Sequence, residues 1–341
     1  MRNSEFLVGI VGFGQLADTH LEAWRANEGT RVTSVVDDCP VARERARGLG
    51  MTAYQTVDEL LKSERLNAVS ICAPTSFHPA HVLEILHTGI PVLCEKPLAA
   101  DLASAQELID GAARSGVEFQ LATPFRHVPD IRKARDIIRH GIIGDPLTFQ
   151  VESSGKTDMS NRWNSKPSIS GGGVLIDKGC HAVDTVRFLL SGIVRVQGVA
   201  LRPVQTLPVE DSAMMLATTE CGVTGNITLS WSMKSWNDFY ITIHGAQGTI
   251  QIGSKKSYLH VDGEPPVQIG EGCGTLAAYK RMTGMFRGLV EGSEGRWISY
   301  EDALAASAVI EAAYRSMQTS RWTRVPGAQV LRRSIGLAAS R

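Results

Sequence analysis

Three groups of residues in this 341-residue sequence have types and spacings that could carry chemistry. In GGGVLIDKGCHAVD, residues 171–184, Asp177, His181 and Asp184 recur at intervals of four and three, which on a helix would set them along one face. Such a set could handle protons, Asp177 fixing the tautomer and orientation of His181 while His181 exchanges a proton with a hydroxyl group. The same spacing fits a metal site, and it fits a buried helix in which His181 is hydrogen-bonded and Asp184 pairs with Arg187. No second cluster of His or Cys ligands accompanies it, so no metal is expected. Asp184 stays open between accepting a substrate hydroxyl and pairing with Arg187. Gly179 weakens a helix by up to about 1 kcal/mol relative to alanine, which points to close approach at that position. The three leading glycines leave room for backbone to approach a ligand.

The second group is GFGQLA, residues 12–17, which fits G-x-G-x-x-G/A. Gly12 permits a tight turn, Gly14 lets the backbone approach a pyrophosphate, and Ala17 lets the helix pack closely on its strand. Phe13, Gln15 and Leu16 complete the loop, with the anion expected on the helix N-terminus. About 20 residues after Ala17, Asp37 ends a second strand, where an adenosine ribose contact is expected. Asp38 follows it, and each carboxylate about 5 Å from a ribose 2′-phosphate would cost roughly 3 kcal/mol at an effective dielectric near 20. NAD is therefore expected over NADP, with Arg43, Arg45 and Arg47 read as a solvated helix face from which one arginine could fold back to a phosphate.

The third group lies at the ends of two later strands, where open α/β sheets place their ligands. APTSFH contributes Ala73, Pro74, Thr75 and His78 to the expected cofactor contacts, and CEKP contributes Glu95 and Lys96. Lys96 is placed to donate a proton or stabilise an alkoxide beside the nicotinamide.

These groups need a frame, and the sequence supplies one. Short β-branched runs alternate with helical patterns from residue 6 to about 124, implying a parallel sheet. Beyond a helical stretch near 130–140, strands separated by turns follow at 146–154, 195–202, 211–220, 223–232, 238–245, 248–253 and 257–261. Two helices are predicted at 276–290 and 301–318. The fold class is α/β, an N-terminal Rossmann fold plus a C-terminal α+β domain on an open, mostly antiparallel sheet. Domain limits fall at 1–124 and 125–325, the C-terminal helix packing between them, with 326–341 as a tail.

Bulk properties narrow the function. Charge is balanced, 35 basic against 35 acidic residues, and no basic reading helix is present, so neither nucleic acid nor an anionic membrane is an expected partner. No apolar run approaches the roughly 20 residues of a membrane helix. The six cysteines form no C-x-x-C pair and read as reduced, buried fillers of a cytoplasmic protein.

Together, GFGQLADTH, CEKPLA and GGGVLIDKGCHAVD resemble, in that order, the three signatures of the glucose-fructose oxidoreductase / inositol dehydrogenase (Gfo/Idh/MocA) family, over residues 6 to about 325. The resemblance implies that Lys96 is a catalytic or substrate-binding group and that Lys96-Pro97 is cis. It also implies that Asp177 and His181 form the catalytic pair, with His181 the proton acceptor, and that the open sheet makes homodimer or homotetramer contacts. The activity it implies is NAD-dependent hydride transfer at a secondary alcohol of a sugar, aminosugar or cyclitol. Alternatives are a glycoside-cleaving relative with no net oxidation and a sensor that binds cofactor without turnover. In GKTDMSNRWNSKPS, Lys156, Arg162 and Trp163 suit a polyhydroxylated ring. Arg126, after the sixth strand, is a further substrate-binding candidate.

Overall fold

The computed structural model describes residues 5–235 and 237–326. The chain forms two compact units, one built up to Pro124 together with Leu276–Ala303, the other from Phe125–Thr275 and the chain from Leu304 onward.

In the first unit, strands β1 (Phe6–Val11), β2 (Thr30–Val36), β3 (Thr52–Tyr54), β4 (Ala68–Ile71), β5 (Val92–Cys94) and β6 (Phe119–Leu121) alternate with helices. These are α1 (Gln15–Arg25), α2 (Pro40–Gly48), α3 (Val57–Ser63), α4 (His78–Leu86) and α5 (Leu102–Ser115). The strands are all parallel in the order β3-β2-β1-β4-β5-β6. The chain winds outward through β3 and then restarts on the far side of β1, so a crevice opens beyond the ends of β1 and β4. β4 and β5 are buried at every residue, as strands covered on both faces must be. Local chemistry sets the helix limits. Thr56 and Glu59 form a reciprocal capping box on α3, and Asp101 caps α5, which ends on left-handed Gly116.

The second unit opens with α6 (Pro129–Arg139), β7 (Pro146–Ser154), α7 (Pro167–Ser170), α8 (Val174–Asp177) and α9 (Gly179–Leu189). Strands β8 (Ile193–Ala200), β9 (Ser212–Thr219), β10 (Thr224–Ser230), β11 (Phe239–Gly245), β12 (Gly248–Gly253), β13 (Ser257–Val261) and β14 (Val267–Gly270) follow. The helices α10 (Thr275–Val290) and α11 (Tyr300–Thr319) and the short β15 (Thr323–Arg324) close the described chain. The sheet runs β14-β13-β12-β11-β7-β10-β9-β8-β15, with β7 and β10 its parallel pair among the described residues and the other neighbours antiparallel. α11 presses on it so closely that a Cβ on Gly198 would stand 2.9 Å from the Ala313 carbonyl oxygen.

Three features depart from the sequence reading. First, that reading runs one domain unbroken over 125–325, whereas α10 belongs with the first unit. Tyr279, Met282 and Phe286 are buried in one apolar cluster with Phe6, Phe13 and Trp24. Second, the motif helix is broken: Asp177 ends α8, and α9 begins at Gly179. Third, the glycine triplet serves the protein's own packing. Gly171 takes φ of 82° to end α7, while a Cβ on Gly172 or Gly173 would collide with Tyr314 or Glu210 respectively. The segment read as a tail lies outside the described residues beyond Pro326. Cys39 and Cys221 are exposed, so the six cysteines are not uniformly buried fillers.

Gly172→Ala should lower stability by about 1–3 kcal/mol, the range for forcing a methyl group into a filled site. Part of that loss should return in the double variant with Tyr314→Phe, which removes the nearest colliding atom. Urea unfolding of the two variants measures both effects.

Candidate functional site

Gly12 sits at the turn after β1 with φ of 84°, and a Cβ there would lie 2.5 Å from the Ala73 nitrogen. Only glycine allows β1 and the end of β4 to run that close. Gly14 is different, because a Cβ on it would meet nothing of the protein within 4 Å. It is the N-cap of α1 and offers no side chain to the first turn, so the helix N-terminus faces an approach that glycine keeps clear. Ala17, fully buried, seats α1 on the sheet.

A cavity of about 360 Å³ follows from the glycine loop, lined by Gly12, Asp37, Asp38, Ala73, Pro74, Phe77 and His81 among others. Asp37 shapes it. Its Oδ2 accepts the Phe13 N–H at 2.6 Å and its Oδ1 the Cys39 N–H at 2.8 Å, yet the residue is only half-buried. The nearby arginines are committed to the protein. Arg43 donates to the carbonyls of Asp37 and Asp38, while Arg45 donates to Phe13 O and Asp18 and lies 4.2 Å from the Phe13 ring centroid. Arg45 thus folds back from the helix face expected of it, onto a peptide carbonyl of the loop. Thr75 is 1% exposed and its Oγ1 has no protein partner, a buried hydroxyl of the sort a bound group answers. The open Gly14 approach, the uncapped helix and this hydroxyl fit a dinucleotide. Its pyrophosphate would be held at Gly12–Leu16, its ribose at Asp37 and its far end near Ala73–Thr75.

Two expected cofactor contacts are placed elsewhere by the structure. His78 is 1% exposed, with Nδ1 2.8 Å from Pro97 O and Nε2 2.9 Å from Ala73 O. Burial lowers its pKa, so the ring is neutral and donates its one N–H to one of the two carbonyls, packed between the loops. Glu95 is 2% exposed and accepts from Tyr279 Oη at 2.9 Å and from the Lys96 amide at 3.0 Å, with His20 Nε2 at 2.8 Å. Phe13 contributes backbone, its ring being buried. Lys96 itself is half-buried and joined to Pro97 by a cis peptide bond.

In the second unit, Asp177 and His181 are both half-buried, Asp177 at the end of α8 and His181 in the first turn of α9. Trp231, just past β10 and 2% exposed, donates its indole N–H to Asp177 Oδ2 at 3.0 Å. Phe125 meets the His181 ring edge-on at 5.2 Å and stacks on Tyr240 at 4.9 Å. Gly179 fits against Ile310 and Leu229, so the close approach it permits is to the protein's own core. Arg126 and Asp184 form a buried pair. Arg126 Nη2 lies 2.7 Å from Asp184 Oδ1, and its Nε lies 3.0 Å from both carboxylate oxygens. That geometry pairs Arg126 with a buried carboxylate and gives Asp184 a charged partner in Arg126. In the polar loop, Lys156 and Arg162 are exposed and Trp163 is half-buried. Gln205 pins that loop, accepting the Met159 N–H and donating to Thr157 O.

Sequence reasoning missed Phe77, His81, Trp231 and Gln205. Phe77 and His81 lie four apart on the turn entering α4, a spacing that a search for cavity-lining aromatics could have caught. Trp231 reaches the motif from 54 residues away and Gln205 the polar loop from 46, with no local signal.

Residues 6–123 match the family profile described as oxidoreductase family, NAD-binding Rossmann fold, and residues 131–251 match that of the GFO/IDH/MocA C-terminal domain. The chain belongs to the Gfo/Idh/MocA family. As a family member it is an oxidoreductase whose first unit is an NAD-binding Rossmann domain. D-apiose dehydrogenase of Paraburkholderia graminis is 26% identical over 260 residues, 73% of this chain and 68% of the relative. Inositol 2-dehydrogenase of Rubrobacter xylanophilus is 27% identical over 253 residues, 72% of this chain and 70% of the relative. Levoglucosan dehydrogenase, solved in complex with NADH and levoglucosan, shares the fold at a TM-score of 0.87 and 20% identity, covering 95% of this chain and all of that one. Among the described residues no group of His, Cys, Asp and Glu could hold a metal ion, and no helix is long and apolar enough to cross a membrane.

Asp184→Ala should cost about 3–5 kcal/mol by removing the buried carboxylate that meets Arg126 at 2.7 Å. Denaturant unfolding tests this, and a variant of native stability would mean that the pair is not holding α9.

Proposed function

We propose that this Gfo/Idh/MocA protein is an NAD-dependent dehydrogenase acting on a secondary alcohol of a sugar, aminosugar or cyclitol, or reducing the matching ketone. The half-buried Asp177–His181 motif, with a buried indole holding Asp177, is the observation that carries this reading. Bound NAD supplies the hydride acceptor at C4 of its nicotinamide. His181 accepts the hydroxyl proton as the alcohol becomes a carbonyl. Asp177 orients the imidazole and stabilises its protonated form. Trp231, by donating its indole N–H to Asp177, holds that carboxylate in one orientation. Lys96 holds the substrate oxygen and favours its alkoxide character. Lys156, Arg162 and Trp163 bind the ring, supported by the exposure of the two cations and the half-open indole on a loop that Gln205 pins.

NAD is preferred over NADP. Asp37 and Asp38 line the cavity, and the arginines beside them are turned to carbonyl oxygens and Asp18. A 2′-phosphate there meets carboxylates at a cost of roughly 3 kcal/mol each at about 5 Å. The enzyme works in the cytoplasm, which six unpaired cysteines suit. It assembles as a homodimer or homotetramer through the sheet, where Val199, Met214 and Leu216 are exposed on neighbouring strands.

A panel of sugars, cyclitols and aminosugars with NAD and NADP, followed by NADH absorbance, tests the activity. Turnover is expected with NAD. Lys96→Ala and His181→Ala should each lose on the order of 10²–10⁴-fold in kcat with NADH binding retained. Sugar release without NADH would instead show the glycoside-cleaving alternative, and NADH binding without turnover the sensor.

Trp231→Phe supplies a separate check. Losing the indole donor loosens the orientation of Asp177, so kcat should fall about tenfold with NADH binding retained. An unchanged kcat would remove Trp231 from the proton-handling site.

A further inference from the structure

His20 lies on α1, one turn beyond the glycine loop, and is fully buried. Its Nε2 is 2.8 Å from Glu95 Oε1 and its Nδ1 is 3.0 Å from Ser70 Oγ, which also accepts the Trp24 indole N–H at 3.0 Å. Tyr279 of α10 donates to the same Glu95 oxygen and meets the His20 ring edge-on at 5.1 Å. Glu95 Oε2 accepts the Lys96 amide N–H. Helix α1, helix α10 and the peptide that bears Lys96 therefore converge on one carboxylate.

Two apolar side chains in that space would be no less stable, because a buried ion pair returns little net stability for its desolvation. What the pair adds is a fixed position. We infer that His20 is a positioning residue for Lys96, its hydrogen bond to Glu95 fixing the peptide from which the lysine projects and anchoring it to the helix whose N-terminus takes the dinucleotide. The inference rests on the reading of Lys96 as the group that holds the substrate oxygen.

The groups facing this pair are Cys72 and Cys94 at the ends of β4 and β5, His78, Lys96 and Tyr279. Burial works against a charge on His20, and the Glu95 carboxylate at 2.8 Å works for it. Cys72, its own thiol pushed up by burial, is uncharged at neutral pH and adds no charge there. Burial also pushes Glu95 upward, and His20, Lys96 and Tyr279 more than offset this, holding it below the usual carboxylate value, so at neutral pH an ionised carboxylate faces the His20 N–H.

Four full-length proteins test the inference: wild type, His20→Gln, His20→Leu and Glu95→Gln. Lysine reactivity toward acetic anhydride is read residue by residue by mass spectrometry, with NADH binding followed by fluorescence. In His20→Leu, Lys96 should acetylate about threefold faster, equivalent to roughly half a pKa unit. Exposed Lys256 should be unchanged and NADH affinity should stay within about twofold of wild type, a change under roughly 0.5 kcal/mol. His20→Gln, whose amide nitrogen can occupy the Nε2 position, should return Lys96 reactivity most of the way to wild type. Unchanged Lys96 reactivity in a folded His20→Leu protein would overturn the inference, as would no recovery in His20→Gln. Should His20→Leu not fold, Glu95→Gln decides through amide hydrogen exchange: faster exchange of the Lys96 N–H supports the hold, and unaltered exchange overturns it. With a substrate from the panel, kcat should fall about tenfold in His20→Leu while the KM for NAD stays within about threefold, the pattern of a lost transition-state contact. The acetylation result stands whether or not any substrate is found, so failure of the dehydrogenase reading and failure of this one are separable.

Discussion

A carboxylate removed from water stays ionised only if donors meet its lone pairs, and the end of β5 is organised around that demand. Glu95 is answered by α1 through His20, by α10 through Tyr279 and by the Lys96 amide. Satisfying one side chain therefore fixes three pieces of backbone. His78, packed between the Ala73 and Pro97 carbonyls, adds a contact on the same loop through its one ring N–H. On the β1 side, Gly12 brings the glycine loop against Ala73 at a distance no side chain allows. The turns that border the crevice are thus joined to buried groups rather than left as loops.

The second unit repeats the device with other acids. Glu210 accepts from the Gly173 and Leu175 N–H groups and from Tyr314 Oη, so it terminates the glycine triplet and anchors α11 together. Burial raises the Tyr314 pKa, which keeps it a donor at any ordinary pH. Asp211 takes the amides of Val204 and Gln205 and the Ser232 hydroxyl, and Gln205 passes the hold on to the loop carrying Lys156 and Arg162. Asp130 receives Ser257 and the Gly272 amide under the far edge of the sheet. Each costs desolvation, and each removes a degree of freedom from a segment that would otherwise wander.

The fold was largely legible because hydrophobic period and turn chemistry are local. Strands 146–154, 248–253 and 257–261 were placed at their observed limits, and the helix predicted at 276–290 begins one residue from α10. β14 and β15 were not legible, being four and two residues long, below the length at which alternation is a signal. The membership of α10 was also hidden. Its apolar face says that it is buried but not against which sheet, and only Tyr279, Met282 and Phe286 beside Trp24 decide that. The glycine loop and the strand-end motifs stood out because close approach and anion binding demand particular residues at fixed offsets. Trp231, Gln205, Tyr279 and Tyr314 act across 54, 46, 184 and 141 residues, and nothing in their own neighbourhoods marks them.

Residue type therefore could not separate the acids that hold this protein together from those offered to a ligand, and neither could spacing. Asp184 shares the motif helix with His181, yet it is bound on both oxygens by a buried arginine. Glu95 neighbours Lys96, yet it faces inward. Asp37 and Asp177 differ in kind. Each is half-buried, and each takes protein N–H groups that hold the carboxylate in one orientation, Phe13 and Cys39 for Asp37 and Trp231 for Asp177. An acid held in one orientation yet left half-open to solvent is what ribose recognition and proton handling would both require. The sorting variable is burial, Glu95 and Asp184 being nearly closed from solvent and Asp37 and Asp177 half-open, a three-dimensional property that a linear motif carries only by association.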